Sequence, residues 1–488
     1  PKEYRSAPFW GWNDRLQKEN LGEQIEGFKK AGMGGFFIHS REGLETEYLS
    51  TEWMEDVKFC VDKARENDLE LWIYDEDKWP SGAAGGKVSR VNPAEFTARA
   101  LTMECGKAGE LAVPAKLSNE EERTVTGDSD SIMCGGNRST DENFMSGRNG
   151  SEDLAVEETM ETEFLQGVYV IQTAADGRFI KRMKEYLTYE EAAGACGVDE
   201  EILLLRQEIS GKSEWYNGLM PPDNLNPESV KTFLKLTHEH YEEVFGGSFP
   251  KEVKGFFTDE PNCCDFFSVF HEGRPWIPWS IGFTEYFIEK RGYDPQEKLP
   301  YLFFDGEGAE KIRHDYWKTV AQRFEESYMK QVYEWCDKRG LRTTGHILYE
   351  NDLGYQTRVC GAAMPQLRYL HNPGIDLLGA QTDEYLTVKQ CASVAHQYER
   401  SMTISEAYGC TGWELDFSTQ KWLGDWQFAL GITRRCQHLA LYSITGCRKR
   451  DYPPVFNYQN TWWDDNDKME NYFGRLALCL SQGEPVRK

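Results

Sequence analysis

The chain has 488 residues, and its 81 Asp and Glu against 55 Lys and Arg leave a formal net charge of −26. So acidic a chain repels phosphate at long range, which argues against nucleic acid or an anionic membrane surface as its main partner. A hydrophobic share of 40% beside a charged share of 28% is that of a folded, soluble protein, and no stretch approaches the roughly 18 apolar residues that span a bilayer.

In chain order the first apolar burst is Pro8-Phe-Trp-Gly-Trp12, ending in Asn13-Asp14. A helical pattern from Lys18 to about Ala31 then sets Leu21, Ile25 and Phe28 on one face. Gly32, Gly34 and Gly35 break it, and Gly35-Phe-Phe-Ile-His-Ser40 reads as a buried strand. A second helix is predicted over about Glu52 to Asn67, followed by a third strand, Leu69-Glu-Leu-Trp-Ile-Tyr74. That strand runs into the chemically dense segment Asp75-Glu-Asp-Lys-Trp-Pro-Ser-Gly82. Strands and helices alternating through short connections predict a parallel α/β fold.

The alternation then stops. Residues 118–162 are rich in Asp, Glu, Ser, Gly and Asn and read as an acidic flexible loop. A strand-like run, Gly167-Val-Tyr-Val-Ile-Gln172, follows it. Residues 105–225 are therefore read as an insertion subdomain rich in β-structure, with 1–104 and 226–488 forming the main domain. The rhythm resumes with a helix from Pro227 to about Phe245 and the strand Val253-Lys-Gly-Phe-Phe-Thr258. A helix over about Arg313 to Arg339 precedes Leu341-Arg-Thr-Thr-Gly-His346, and Ile375-Asp-Leu-Leu-Gly379 comes next. Helices at about 386–400 and 421–437 precede the last two strands, Met402-Thr-Ile-Ser405 and Leu439-Ala-Leu-Tyr-Ser-Ile444. Eight such strands predict an α/β fold of the (β/α)8 TIM-barrel type, with a β-rich insertion in the loop after strand 3. A doubly wound open sheet is the alternative, but no Gly-rich phosphate loop follows the first strand.

A TIM barrel carries its active site at the C-terminal ends of its strands. The residues there are Asn13, Asp14, His39, Asp75, Glu76, Asp77, Asp259, Glu260, His346, Gln381, Asp383, Glu384, Glu406, Arg448 and Asp451. Carboxylates dominate, and no nucleophile elbow, Walker loop or HExxH motif appears. With 15 Trp, 24 Tyr and 26 Phe, the chain also has flat apolar rings to set against the C–H faces of a sugar. A carboxylate-lined, aromatic-rimmed cleft suits cleavage of a glycosidic bond.

Glu260, in Thr258-Asp-Glu-Pro-Asn262, and Glu406, in Ser405-Glu-Ala-Tyr-Gly409, stand past the fourth and seventh strands, so their side chains can converge on one bond. Glu260 is the candidate general acid, with Asn262 available to orient a carboxyl group. Glu406 is the candidate nucleophile or general base; a carboxyl separation of about 5–5.5 Å would mean retention and about 6.5–9.5 Å inversion. The plainer role for either is a structural carboxylate paired with an arginine such as Arg342 or Arg448. Asp75, Glu76 and Asp259 are read as positioning sugar hydroxyls. The Asp75–Asp77 cluster could instead hold a hard cation such as Ca²⁺ or cap a loop. Trp79 is the candidate stacking wall, and His39 and His346 could bond a hydroxyl or tune a carboxyl group. Trp12, Glu384, Arg448 and Trp462 complete the expected substrate-binding set. The 13 cysteines are scattered and include the adjacent Cys263 and Cys264. They fit neither a disulfide framework nor a zinc ribbon, and read as the reduced thiols of a cytoplasmic protein. A start at Pro1 leaves room for a trimmed leader.

Four segments resemble the glycoside hydrolases of family 106, the α-L-rhamnosidase-like enzymes. They are Phe9-Trp-Gly-Trp-Asn13, Tyr74-Asp-Glu-Asp-Lys-Trp-Pro-Ser-Gly-Ala-Ala-Gly-Gly86, Phe257-Thr-Asp-Glu-Pro261 and Arg448-Lys-Arg-Asp-Tyr-Pro-Pro454. The resemblance implies a catalytic barrel whose carboxylates, with no cofactor required, release a terminal sugar from a glycan. It further implies inversion at the anomeric carbon and allows a Ca²⁺ ion in the site. Such enzymes usually carry β-sandwich domains beyond the barrel, and this chain stops at Lys488. The placement of Glu260 and Glu406 is similar, too, to the retaining clan that includes β-galactosidases, where Asn commonly precedes the acid and this chain has Asp259. Two further readings stay open, a non-catalytic sugar-binding barrel and a metal-dependent hydrolase using His39, His346 and Asp75–Asp77. The latter usually shows His-x-His on its first strand, which this chain lacks.

Overall fold

The computed structural model describes residues 1–111, 163–264 and 273–482. Strands β1 (Phe9–Trp12), β2 (Gly35–Ser40) and β3 (Glu70–Tyr74) come first, then β4 (Arg99–Gly106), β5 (Glu163–Thr173), β6 (Ile180–Tyr186) and β7 (Glu201–Ile209). They are followed by β8 (Val253–Thr258), β9 (Trp276–Trp279), β10 (Arg342–Gly345), β11 (Asn372–Leu377), β12 (Ile404–Ala407), β13 (Arg434–Gln437) and β14 (Ala440–Leu441). A parallel sheet takes the order β13-β12-β11-β10-β8-β3-β2-β1-β14. Its two ends are consecutive in the chain: β13 pairs with β12, β14 pairs with β1, and only His438 and Leu439 lie between them. The sheet is therefore a nearly closed barrel, with β13 and β14 sharing the eighth strand position.

A side-chain period of two sorts each barrel strand into an inner and an outer face. Phe9, Phe37, Trp72, Tyr74, Phe257, Ile404 and Cys436 fill the interior as one cluster, with the Phe9 and Phe257 rings edge to face at 4.7 Å. Trp10, Trp12, Phe36, Ile38, Leu71, Ile73 and Phe256 point the other way, into the larger core under the helices. Those helices begin where side chains can cap them; Ser50, for example, accepts the Trp53 N–H at the start of Thr51–Glu66. No helix among the described residues is long and apolar enough to cross a membrane.

Three late strands are shifted from their predicted positions. The sixth is Asn372–Leu377 and not 375–379, the seventh Ile404–Ala407 and not 402–405, and the eighth starts at Arg434 and not at Leu439. The predicted helix over 421–437 is Phe417–Leu430, ended by Gly431 at φ +120°. The eighth strand shows no apolar run at its start because it opens with two arginines. Both are buried in ion pairs, Arg434 with Glu70 at 2.8 Å and Arg435 with Glu470 at 2.5 Å.

The second sheet is antiparallel, in the order β6-β5-β7-β4-β9. It draws β4 from Arg99 onward and β9 from Trp276–Trp279, so it reaches beyond the expected range 105–225 on both sides. Strand β9 carries Pro278, which a sheet tolerates at its edge, and an edge is where β9 lies. The acidic stretch 118–162 lies outside the described residues.

Candidate active site

The inward parity of the strands continues past their C-terminal ends and gathers a polar layer above the aromatic interior. A cavity of about 130 Å³ there is lined by Phe9, His39, Arg41, Trp79, Asp259, Glu260, Asp376, Leu378, Glu406, His438 and Tyr452. Glu406 lies within β12, two residues beyond inward-facing Ile404, and is registered beside Asp376 of β11. Asp259 likewise follows inward-facing Phe257 by two.

Asp259 is anchored on every side. Its N–H donates to Ser81 Oγ and its carbonyl accepts the Ser81 N–H, both at 2.8 Å, while Tyr74 donates its hydroxyl to Oδ2. Glu260 next to it has φ +46°, a left-handed conformation unusual for a residue with a side chain. The Asn262 amide donates to the Glu260 carbonyl at 3.1 Å, so Asn262 fixes the backbone and not, as expected, the carboxyl group. His346 lies beneath. Its Nε2 is 2.8 Å from Glu406 Oε2 and 3.3 Å from Asp259 Oδ1, and its side chain is 1% exposed.

These contacts set the protonation states. Burial, followed by the charge of Asp259, pushes the Glu260 carboxyl well above the ordinary carboxylate range. Burial would also lift Glu406, but the hydrogen bond and charge of His346, with Arg41 beyond, hold it below its usual value. Burial opposes the imidazolium of His346, yet Asp259 and Glu406 together raise its pKa well above normal. Burial and the neighbouring Glu406 push Asp376 well up, and burial brings Asp259 to about 6. His438 falls to about 4 through burial and stays neutral. The cavity thus combines a carboxyl group pushed toward its protonated form, Glu260, with one held toward its ionised form, Glu406.

Of the expected substrate-binding residues, His39, Trp79 and Asp259 line the cavity. The others do not. Trp12 faces outward on β1 and packs on Trp10 and Trp53. His346 is sealed under the floor, where it acts on carboxylates and not on a ligand. Asp75 accepts from Ser81 Oγ at 2.6 Å, below the cleft. Glu76 points into its own loop, where it accepts the N–H groups of Asp77, Gly82, Ala83, Ala84 and Gly85. Those contacts account for the small residues after Ser81; a side chain at Gly82 would meet Asn224 Oδ1 at 2.4 Å. Glu384 bonds Gln381 beside the helix Tyr385–Gln397, and Trp462 donates to the Leu415 carbonyl. Arg448 pairs with Asp14 at 3.1 Å.

Six lining residues lie outside the expected set: the apolar Phe9 and Leu378 and the polar Arg41, Asp376, His438 and Tyr452. Asp376 is legible as a carboxylate in the sixth strand, but a strand end placed at Gly379 points instead to Gln381 and Glu384. Arg41 is one residue past β2. It makes a two-pronged pair with Asp451 at 2.8 and 2.9 Å, contacts His39 Nε2 at 3.1 Å, and its guanidinium lies 4.7 Å from the Trp79 ring.

Atoms of Asp259, His346 and Glu406 lie within 4.8 Å of one another, as metal ligands would. Ca²⁺ takes oxygen donors, so His346 fits a Ca²⁺ site poorly and is already engaged as an ion-pair bridge. That trio is the one such group among the described residues, and because it includes His346 the site does not fit an oxygen-coordinated Ca²⁺ ion. The Asp75–Asp77 cluster does not fit. Asp75 and Glu76 are spent as above, and Asp77 accepts from Ser40 and Asn217. The metal-hydrolase set of His39, His346 and Asp75–Asp77 is therefore dispersed.

A family model for alpha-L-rhamnosidases, glycoside hydrolase family 106, matches residues 222–488, more than half of the chain. The chain belongs to this family. Over its whole length it is 26% identical to a protein of Formosa agariphila named "Putative beta-glucuronidase", and it covers 41% of that protein. Its fold is similar to that of a rhamnosidase from Novosphingobium sp. PP1Y, with a TM-score of 0.64 at 16% identity. That match covers 99% of this chain and 60% of the rhamnosidase chain. The family 106 barrel here thus spans between about two fifths and three fifths of the relatives it matches.

In this family 106 barrel, His346 holds Glu406 through their 2.8 Å contact. Exchanging it for Asn is expected to lower kcat about 100-fold, because the Glu406 carboxylate loses its fixed geometry. It is also expected to raise the acid limb of the kcat/KM profile, since Glu406 would lose the partner that holds its pKa down. A pH–rate series on wild type and His346→Asn checks both; a loss of activity with an unmoved acid limb would make His346 merely structural.

Proposed function

We propose that this chain is the catalytic barrel of an exo-acting glycoside hydrolase that removes a terminal α-L-rhamnoside-like sugar from a glycan or glycoside. The observation that carries this reading is the opposed tuning of two carboxyl groups in one small cavity. Glu260, kept protonated, serves as general acid to the leaving oxygen, and Glu406, kept ionised, serves as general base to water. Family membership supports the sugar class. The charge of the cavity supports a neutral sugar over a uronate. Four carboxyl groups line it, and its one guanidinium among the described lining residues, Arg41, is already paired with Asp451. Trp79, Tyr452 and Leu378 supply apolar surface for the sugar ring and a methyl group.

On this reading the proton transfers belong to Glu260 and Glu406. The twelve described cysteines are all free thiols, which supports the reading of a reducing, cytoplasmic compartment.

The test is a screen of nitrophenyl glycosides, α-L-rhamnoside and β-D-galactoside included, with the first-formed anomer followed by proton NMR. Release from the α-L-rhamnoside with inverted configuration is the expected result. A retained anomer would place the enzyme with the β-galactosidase-like clan, and sugar binding without any release would favour the non-catalytic barrel.

A further inference from the structure

We propose that a second cavity beside the catalytic one is the leaving-group site, and that it takes a hydroxyl-rich sugar residue and not a flat aromatic aglycone. This deepens the glycosidase reading above and rests on it. In the sheet order, three strand positions part β12 from β3 in either direction around the barrel, counting β13 and β14 as one. Strand β3 therefore stands opposite the strand that carries Glu406. A base-activated water attacks the sugar carbon from the face opposite the departing oxygen. The departing group is thus directed over the end of β3, and Glu260, just past the adjacent β8, is placed to protonate it.

Over that end of the barrel lies a cavity of about 390 Å³, three times the catalytic one, and Arg41 lines both. Its size falls in the range of small-molecule sites, about 300–1,000 Å³. Asp77 and Lys78 come from the loop after β3, Thr46 from the loop after β2, and Asn217 and Leu219 from the segment after β7. The walls are held in place. Asp77 accepts from Ser40 Oγ at 2.5 Å and from Asn217 Nδ2 at 2.8 Å, and Lys78 pairs with Glu42 at 2.9 Å. Carboxylate, ammonium, amide and hydroxyl groups therefore converge on one space. Only Tyr48 brings an aromatic ring among the described lining residues, whereas the catalytic cavity has Phe9, Trp79 and Tyr452. Such a wall exchanges hydrogen bonds with sugar hydroxyls, but a flat hydrocarbon ring would desolvate it without compensation.

The experiment measures kcat/KM for a nitrophenyl α-L-rhamnoside and for an α-L-rhamnosyl disaccharide. Wild type, Lys78→Met and Leu219→Trp are compared, with thermal melts to show that each variant is folded. Lys78→Met removes a donor and keeps its stem; Leu219→Trp fills the space. The ratio of disaccharide to aryl kcat/KM is expected to fall about tenfold, the worth of one hydrogen bond to a charged group, and a fall in either variant supports the proposal. An unchanged ratio in both variants, or a wild type that cleaves the aryl glycoside alone, overturns it and leaves the glycosidase reading standing. A wild type that cleaves neither substrate overturns that reading and the proposal together.

Discussion

Replacing Glu260 with Gln is expected to lower kcat/KM by about 10²–10⁴-fold, the usual contribution of a positioned general acid. The loss should be largest for a sugar leaving group and smallest for a dinitrophenyl one, because a stable phenolate departs without a proton. Glu406→Gln is the contrast, since a base is needed whatever leaves. The wild-type profile has a worked-out sign. On the proposed mechanism activity requires ionised Glu406, so it falls as the pH drops through a pKa held below the ordinary glutamate value. It also requires protonated Glu260, so it falls as the pH rises through a pKa lifted well above that value. The residual activity of Glu260→Gln should lose the alkaline limb and keep the acid one. The buried amide carries no charge to desolvate, so the melting temperature should not fall. Activity within severalfold of wild type would remove Glu260 from the reaction.

The second large effect concerns stability. Arg435 on β13 and Glu470 on the last helix, Asn466–Leu480, form an ion pair in which both side chains are essentially buried, 1% and 0% exposed. Glu470 Oε1 also accepts from Gln437 at 3.1 Å, and Oε2 accepts the Ser6 N–H at 3.1 Å. One carboxylate thus ties the final helix and the N-terminal segment to the strand that closes the barrel. Glu470→Gln leaves the Arg435 charge buried without its counter-ion and is expected to cost about 3–5 kcal/mol, read as a drop in denaturation midpoint. Adding Arg435→Met should restore much of that loss, because the charge that was stranded is then gone. A single variant as stable as wild type would show that water or a rearranged neighbour takes over the pairing.

The residues that proved legible in the sequence share one property: they sit where local pattern and three-dimensional position coincide. Glu260 lies two residues past, and Glu406 within, a strand marked by apolar residues, and a barrel brings such ends together whatever its loops do. Trp12 shows the limit of that reasoning. It lies at the end of β1 as expected, but Phe9 faces inward, and a period of two then turns Trp12 outward. Parity could have been read from Phe9-Trp-Gly-Trp12 had the inner face been known. Glu76 and His346 failed for another reason. Both are chemically apt groups near the mouth, and only the fold showed that backbone N–H groups consume the first and two carboxylates the second.

By itself the sequence determined the alternation of strand and helix, the acidic, aromatic-rich character and the pair of carboxyl groups, because hydrophobic period and residue chemistry are local. Tertiary structure decided the start of the eighth strand, since Arg434 and Arg435 look exposed until Glu70 and Glu470 arrive from 364 and 35 residues away. It likewise decided which carboxyl group is pushed toward its protonated form and which toward its ionised one. Burial and the charge of a neighbour set a pKa, and neither exists until strands β8, β10 and β12 stand side by side around one small cavity.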